Sequence, residues 1–194
     1  MSFTEPLMTP NSPEADGNAA GARTGYTPVA KGLHWLMAVL ILGLLALGLY
    51  MHELPLSPQK LALYSWHKWF GITAFLLVWL RLAWRVTHRP PALPESMSPI
   101  MRLAAHAGHA ALYVLMIAIP LSGWLMSSAK GFQTVWFGVL PIPDLVGRDK
   151  ALGDLLQEVH KALNVLLMLT LAGHVAAALW HHFVLKDDTL RRMR

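Results

Sequence analysis

Hydrophobic positions fall into four long runs separated by polar, proline-bearing segments. Leu33 to Met51 (LHWLMAVLILGLLALGLYM) is almost wholly apolar, and it has close to the ~20 residues a helix needs to cross a ~30 Å hydrocarbon layer. Trp69 to Val86 (WFGITAFLLVWLRLAWRV) is interrupted by Arg81 and Arg85, whose long stems can carry their charges to the interface from near a helix end. Ala110 to Met126 contains Pro120 and Gly123, which are expected to kink it, as membrane helices tolerate. Ala162 to Leu185 is the fourth run. The pattern predicts an all-α, integral membrane four-helix bundle.

Residues 1–30 are rich in Pro, Gly, Ser, Asn and Ala and have no apolar periodicity. They are expected to form a disordered N-terminal tail, and residues 31–194 the membrane domain. No apolar run precedes Leu33 to serve as the core of a secretory signal, so the first span is expected to be retained.

The connections differ. PPALPESMSP (Pro90 to Pro99) is a proline-rich loop on one side, and the other side carries a longer loop from Ser127 to about Arg148 with aromatics and the turn-like PIPD. Asp149 is placed to cap a helix that begins before the membrane, because Leu152, Leu155, Leu156 and Val159 recur at helical spacing. With the N-terminus inside, ten of the sixteen Lys and Arg side chains lie on the inner side, which predicts both termini on the cytoplasmic side.

Composition narrows the chemistry. Hydrophobic residues make up 55% of the 194 and charged residues only 14%, a membrane balance. Cysteine is absent, which excludes disulfides, iron–sulfur clusters, covalent haem attachment and thiolate catalysis. The net charge of +5 comes from cations beside apolar runs, without the basic stripe and stacking aromatics of a nucleic-acid surface.

Histidine is the unusual residue. The fourth run, with its approach, carries His160, His174, His181 and His182. His174 follows His160 by 14 residues, ~21 Å along a helix, and 14 steps fall 40° short of four turns, so both rings face one sector. By depth, His34 at the inner end of the first helix matches His174, and His67 at the outer end of the second matches His160. A single histidine at a helix end is ordinarily an interfacial side chain, the reading adopted for His52 and His88. Two pairs at two depths fit instead the axial ligation of two b-type haem irons. Zinc would need further ligands that neither site offers. Gly71 and Gly173 are the small residues expected to leave room for a macrocycle.

These residues carry a resemblance. KGLHWL, WHKWFGI, AHAGHAALYVLMIAIPLSGW, VHKALN and GHVAAALWHHFVLKDDTL together closely resemble the bacterial cytochrome b561 family, from about residue 25 to the C-terminus. The resemblance implies a four-helix bundle with two b haems, held by His34 with His174 and by His67 with His160. It also implies, by similarity to family members that pass electrons from periplasmic superoxide to ubiquinone, a quinone site near the inner haem at His109 and His181, with His106 and His182 as adjacent second choices. Histidine suits that role as a donor that also relays protons near neutral pH. Lys68, Lys130 and Lys161 are the candidates for attracting superoxide at the outer surface.

Three functions follow as expectations. The first is a superoxide:ubiquinone oxidoreductase in contact with membrane lipid. The second is a cytochrome b subunit exchanging electrons with a periplasmic redox protein or dehydrogenase. The third is a histidine-lined proton or metal transporter, which would show no haem spectrum.

Overall fold

The computed structural model describes residues 25–94 and 97–193. Four helices dominate: α1 (Pro28–Glu53), α2 (Pro58–Thr87), α3 (Pro99–Ala129) and α4 (Lys150–Trp180), the last continued by a π-helical turn, His181–Leu185. Each is long and apolar enough to cross a membrane. Residues 1–24 of the expected tail lie outside the described residues, and Pro28 already opens α1, so the helical domain starts slightly before residue 31.

The helix starts share one local mechanism. Thr27, Ser57 and Ser98 accept hydrogen bonds from the backbone N–H groups of Ala30, Lys60 and Met101, at 3.2, 3.2 and 3.3 Å, and a proline follows each cap. The cap satisfies an otherwise unpartnered N–H, and proline at the first helical position gives up an N–H that needs no partner there. Asp149 caps α4 as expected, its carboxylate accepting from Leu152 at 3.0 Å. The capped starts extend α2 and α3 eleven residues before the apolar runs at Trp69 and Ala110, because capping and backbone bonding, not lipid-like composition, set where a helix begins.

α1 packs along α2 and α3 along α4, with α2 against α3 joining the two hairpins. Large apolar side chains face outward, among them Val39 at 70% exposure and Leu169 at 67%. In water such a surface would be a liability; in lipid it is the solvated face. The interior is correspondingly narrow, and Val78 and Met37 are among its most buried apolar side chains.

The outer loop holds a short antiparallel hairpin, β1 (Val135–Trp136) with β2 (Leu140–Pro141). It is tied down by indole hydrogen bonds. Trp69 donates to the carbonyl of Val135 at 2.6 Å, Trp136 to that of Trp69 at 3.1 Å, and Trp124 to that of Pro143 at 3.0 Å. The PIPD stretch thus lies on the helix ends as an ordered cover.

Candidate functional site

At the outer end of the bundle a cavity of about 810 Å³ is lined by residues of all four helices, including Met37, Ile41, His67, Phe75, Met116, Pro120, His160 and Leu167. Its size is in the range of sites that enclose a cofactor, and its lining is mostly apolar. His67 and His160, brought from α2 and α4, both face it. Each ring rests on a glycine of the neighbouring helix. A Cβ at Gly48 would lie 3.4 Å from Cε1 of His67, and one at Gly123 would lie 3.2 Å from Cε1 of His160.

The tautomer of His160 follows from its partners. The hydroxyl of Ser122 donates to the Ile119 carbonyl at 2.8 Å, so toward His160 its oxygen is an acceptor. Nδ1 of His160 meets that oxygen at 2.9 Å and the Ile119 carbonyl at 3.1 Å, and therefore carries the ring proton. Nε2 is left with the lone pair that a metal requires, held in orientation by the protein. Among the described residues, Nδ1 of His67 is buried and meets no hydrogen-bond partner, so no protein group competes for that nitrogen. The two imidazoles of the outer pair are the residues that would hold a haem iron there.

Deeper along α4, the rings of His34 and His174 stand 6.3 Å apart between centres. Two imidazoles on opposite sides of one metal, each bonded at about 2 Å, hold their centres roughly 6 Å apart. His109 lies beside them, 5.6 Å from His174 between ring centres. Near as they are, the three do not converge into a three-ligand metal site among the described residues. A cationic wall backs the group. Arg81 donates from Nε to the Tyr113 hydroxyl at 3.1 Å and from Nη2 to Nδ1 of His34 at 3.1 Å, and Arg85 lies 6.0 Å from the centre of the Tyr113 ring. The contact with Arg81 puts the proton of a neutral His34 on Nε2, so ligation through that atom requires Arg81 to exchange its partner. The outer pair is preset in a way the inner one is not.

The remaining predicted positions separate clearly. His181 is buried at 8% exposure and its Nδ1 lies 2.5 Å from the Asp187 carboxylate, a partner that sequence spacing did not suggest. Burial opposes ionisation of Asp187, but hydrogen bonds from His181 and Thr189 outweigh it and hold the carboxyl below the usual aspartate range. His106 is exposed, whereas His109 is partly buried, and the ring of His182 stands edge-on to Phe183. His52 is exposed beside Glu53, and His88 stacks on Trp84 at 3.8 Å. Of the lysines, Lys130 pairs with Asp154 at 3.5 Å and Lys161 with Glu158 at 2.8 Å. Lys68 bonds instead to Ser127 Oγ and the Phe132 carbonyl, each at 3.2 Å, and lines the cavity. Gly71 lines that cavity with open space at its Cβ position, Gly173 also has open space, and the glycines that touch the histidines are Gly48 and Gly123.

Comparison with known proteins is consistent with this arrangement. The model of the prokaryotic cytochrome b561 family matches residues 25–194. The chain is 37% identical over 175 residues to cytochrome b561 homolog 2 of Escherichia coli K12, covering 87% of this chain and 90% of that protein. It is 30% identical to probable superoxide oxidase CybB of Yersinia pestis, covering 87% and 94%, and 29% identical over 125 residues to cytochrome b561 homolog 1 of Escherichia coli K12, covering 63% and 69%. Four membrane-length helices with histidines facing one another between them, matched by this family almost from end to end, make the chain a member of the prokaryotic cytochrome b561 family, multi-pass bacterial membrane proteins of electron transfer that carry b-type haem.

Proposed function

We propose that this cytochrome binds two b haems and passes electrons from superoxide at its periplasmic face to ubiquinone near its cytoplasmic face, in the bacterial inner membrane. The observation that carries the reading is the presence of two histidine pairs from different helices, His67 with His160 at the outer cavity and His34 with His174 about 21 Å deeper, the latter at 6.3 Å between ring centres. The name of the Yersinia pestis relative supports the choice of superoxide.

When bound, the haems supply reversible one-electron carriage. The protein supplies the rest. His160 is held in its ligating tautomer by Ile119 and Ser122. The apolar lining of the outer cavity keeps water from the ligands, and low local polarity tunes potential. Arg81, Arg85 and Tyr113 would offer cationic and hydroxyl partners to the carboxylates of a haem held at the inner level. Lys68 presents a positive charge to superoxide: its ammonium donates to Ser127 and to the Phe132 carbonyl, and the Asp144 carboxylate acts on it only from beyond hydrogen-bonding reach. His109 and His181 are the side chains for the quinone oxygens, and two superoxide anions supply the two electrons that, with two protons, make one quinol.

A second reading, electron exchange with a periplasmic redox protein, draws support from the outer hairpin, where Phe137, Val139 and Leu140 are 46, 84 and 53% exposed. The test is the purified chain alone. Pyridine haemochrome analysis should give two b haems per chain, and superoxide generated in the presence of ubiquinone should yield quinol. Two haems without quinol would favour the partner-protein reading, and absence of haem would restore the transporter.

A further inference from the structure

Among the described residues, the buried polar side chains are Ser122, Ser127, Ser128, Thr134 and His181. The first four line the outer half, and His181 is the ionisable member, set at the inner end of α4. The chain spends an unusual turn to hold it. His181 opens the π-helical turn His181–Leu185, closed by Lys186 at φ 54°, and single π turns often mark functional positions. The backbone N–H groups of Lys186 and Asp187 both reach the carbonyl of His181. The ring of the same residue meets the Asp187 carboxylate at 2.5 Å. In a continuing α-helix, residue 187 would lie ~9 Å further along and 120° around, out of reach. The turn therefore exists in a form that brings this carboxylate back to this ring.

The carboxylate is itself fixed. Its second oxygen accepts from the Thr189 N–H at 2.9 Å. The following strap crosses the inner face. Arg192 bonds Ala92 through its side chain at 2.7 Å and Tyr26 through its carbonyl at 3.4 Å, and the Trp35 indole donates to the Met193 carbonyl at 2.9 Å. The dyad so lies where the membrane domain meets the inner aqueous phase.

We propose that Asp187 is the positioning residue of a His181–Asp187 proton-transfer dyad that serves quinone reduction at the inner end of the bundle. The inference rests on the reading of that end as the quinone site. An ionised Asp187 keeps the ring proton on Nδ1, so Nε2 is the atom turned to exchange, and the carboxylate balances the charge when Nε2 also carries a proton. In the step, the Nε2–H bond breaks as an O–H bond forms on the quinone. Two electrons come from the reduced chain, two protons come from the inner aqueous side, and His181 delivers one of them and regains it from water.

The experiment uses the haem-loaded full chain, reduced chemically, freed of reductant and mixed with a short-chain ubiquinone in a stopped flow, with haem reoxidation and quinol formed as readouts. Asp187→Asn keeps the shape and the Thr189 contact but lets an amide donate to Nδ1 and move the proton to Nε2. The dyad requires the saturating rate to fall at least about tenfold with half-saturating quinone nearly unchanged, and Asp187→Glu to recover most of it. His181→Ala must lose at least as much. A slow His181→Ala beside an Asp187→Asn of normal rate overturns the dyad and leaves the quinone site standing. A normal His181→Ala, or a parent chain that does not reduce quinone, overturns both. Nitrogen-15 spectra of the histidine-labelled parent chain in its reduced state give an independent measure, because the dyad demands a proton on Nδ1 of His181, and its absence there overturns the proposal even where Asp187→Asn fails to fold.

Discussion

The backbone of Gly123 on α3 carries the imidazole of His160 on α4. A Cβ at that position would stand 3.2 Å from Cε1 and 3.5 Å from Nδ1 of the ring, closer than side chains comfortably pack. Gly48 and His67 make a looser version of the pairing across the cavity, with a Cβ there at an ordinary 3.4 Å from the ring, so Gly123 is the glycine that sets how near its helix approaches the ligand ring.

A larger residue at position 123 should therefore act on the histidine rather than on the helix. Gly123→Leu is expected to displace the His160 ring and lose the outer haem, halving the haem per chain while far-UV circular dichroism stays helical. Ser122→Ala is the milder change, keeping the haem but weakening its retention by about tenfold as the orienting acceptor is lost. Pyridine haemochrome titration against a haem scavenger reads both.

The lysines should not be equivalent. Lys161 is ion-paired to Glu158 and Lys130 to Asp154, so neither contributes much net field, whereas Lys68 feels Asp144 without a direct ion pair. A focused charge field as a whole is worth at least ~10-fold in association rate, so Lys68→Gln is expected to slow reaction with superoxide about threefold and to flatten its ionic-strength dependence. Lys161→Gln should leave both nearly unchanged. Equal effects of the two substitutions would return the outer field to a diffuse origin.

Acid should loosen the inner strap before the helices. The carboxyl of Asp187 is held below the usual aspartate range by its hydrogen bonds. A depressed folded value means a contribution to stability that is fully present above the unfolded value of about 3.9 and lost as pH falls through the folded one. Protection of the Thr189 and Tyr26 amides, taken as exchange relative to the unstructured amide at the same pH, should fall in that acid window, and Asp187→Asn should remove the dependence. Unchanged protection across the window would show that the strap is held by Arg192 and Trp35 alone.

Orientation can be read with one thiol at a time, since the chain has no cysteine. Val139→Cys, at the tip of the outer hairpin, is expected to react with an impermeant maleimide added to cells whose outer membrane has been opened and whose inner membrane is intact. Ala92→Cys, in the loop between α2 and α3, should react only after the inner membrane is breached. The reverse pattern would invert the topology and the direction of electron flow proposed above.

Much of this protein is legible in one dimension. Apolar runs of membrane length must become helices, because lipid offers no partner to a free backbone N–H. The depth of each histidine along those helices then follows from a fixed rise per residue, which is why His34, His67, His160 and His174 could be matched from spacing. The cap of α4 was equally readable, and the Thr-Pro and Ser-Pro steps at 27–28, 57–58 and 98–99 carried the other starts. Four relationships needed the folded chain: the glycines beneath the rings, the acceptors that set the tautomer of His160, the outer hairpin hung on three indoles, and the carboxylate of Asp187 brought back to His181 by a widened turn. Each depends on which atoms of distant segments come within hydrogen-bonding or van der Waals reach. Periodicity specifies the face and depth of a residue on its own helix; only packing between helices, and the departure from α geometry at residue 181, specifies what that face meets.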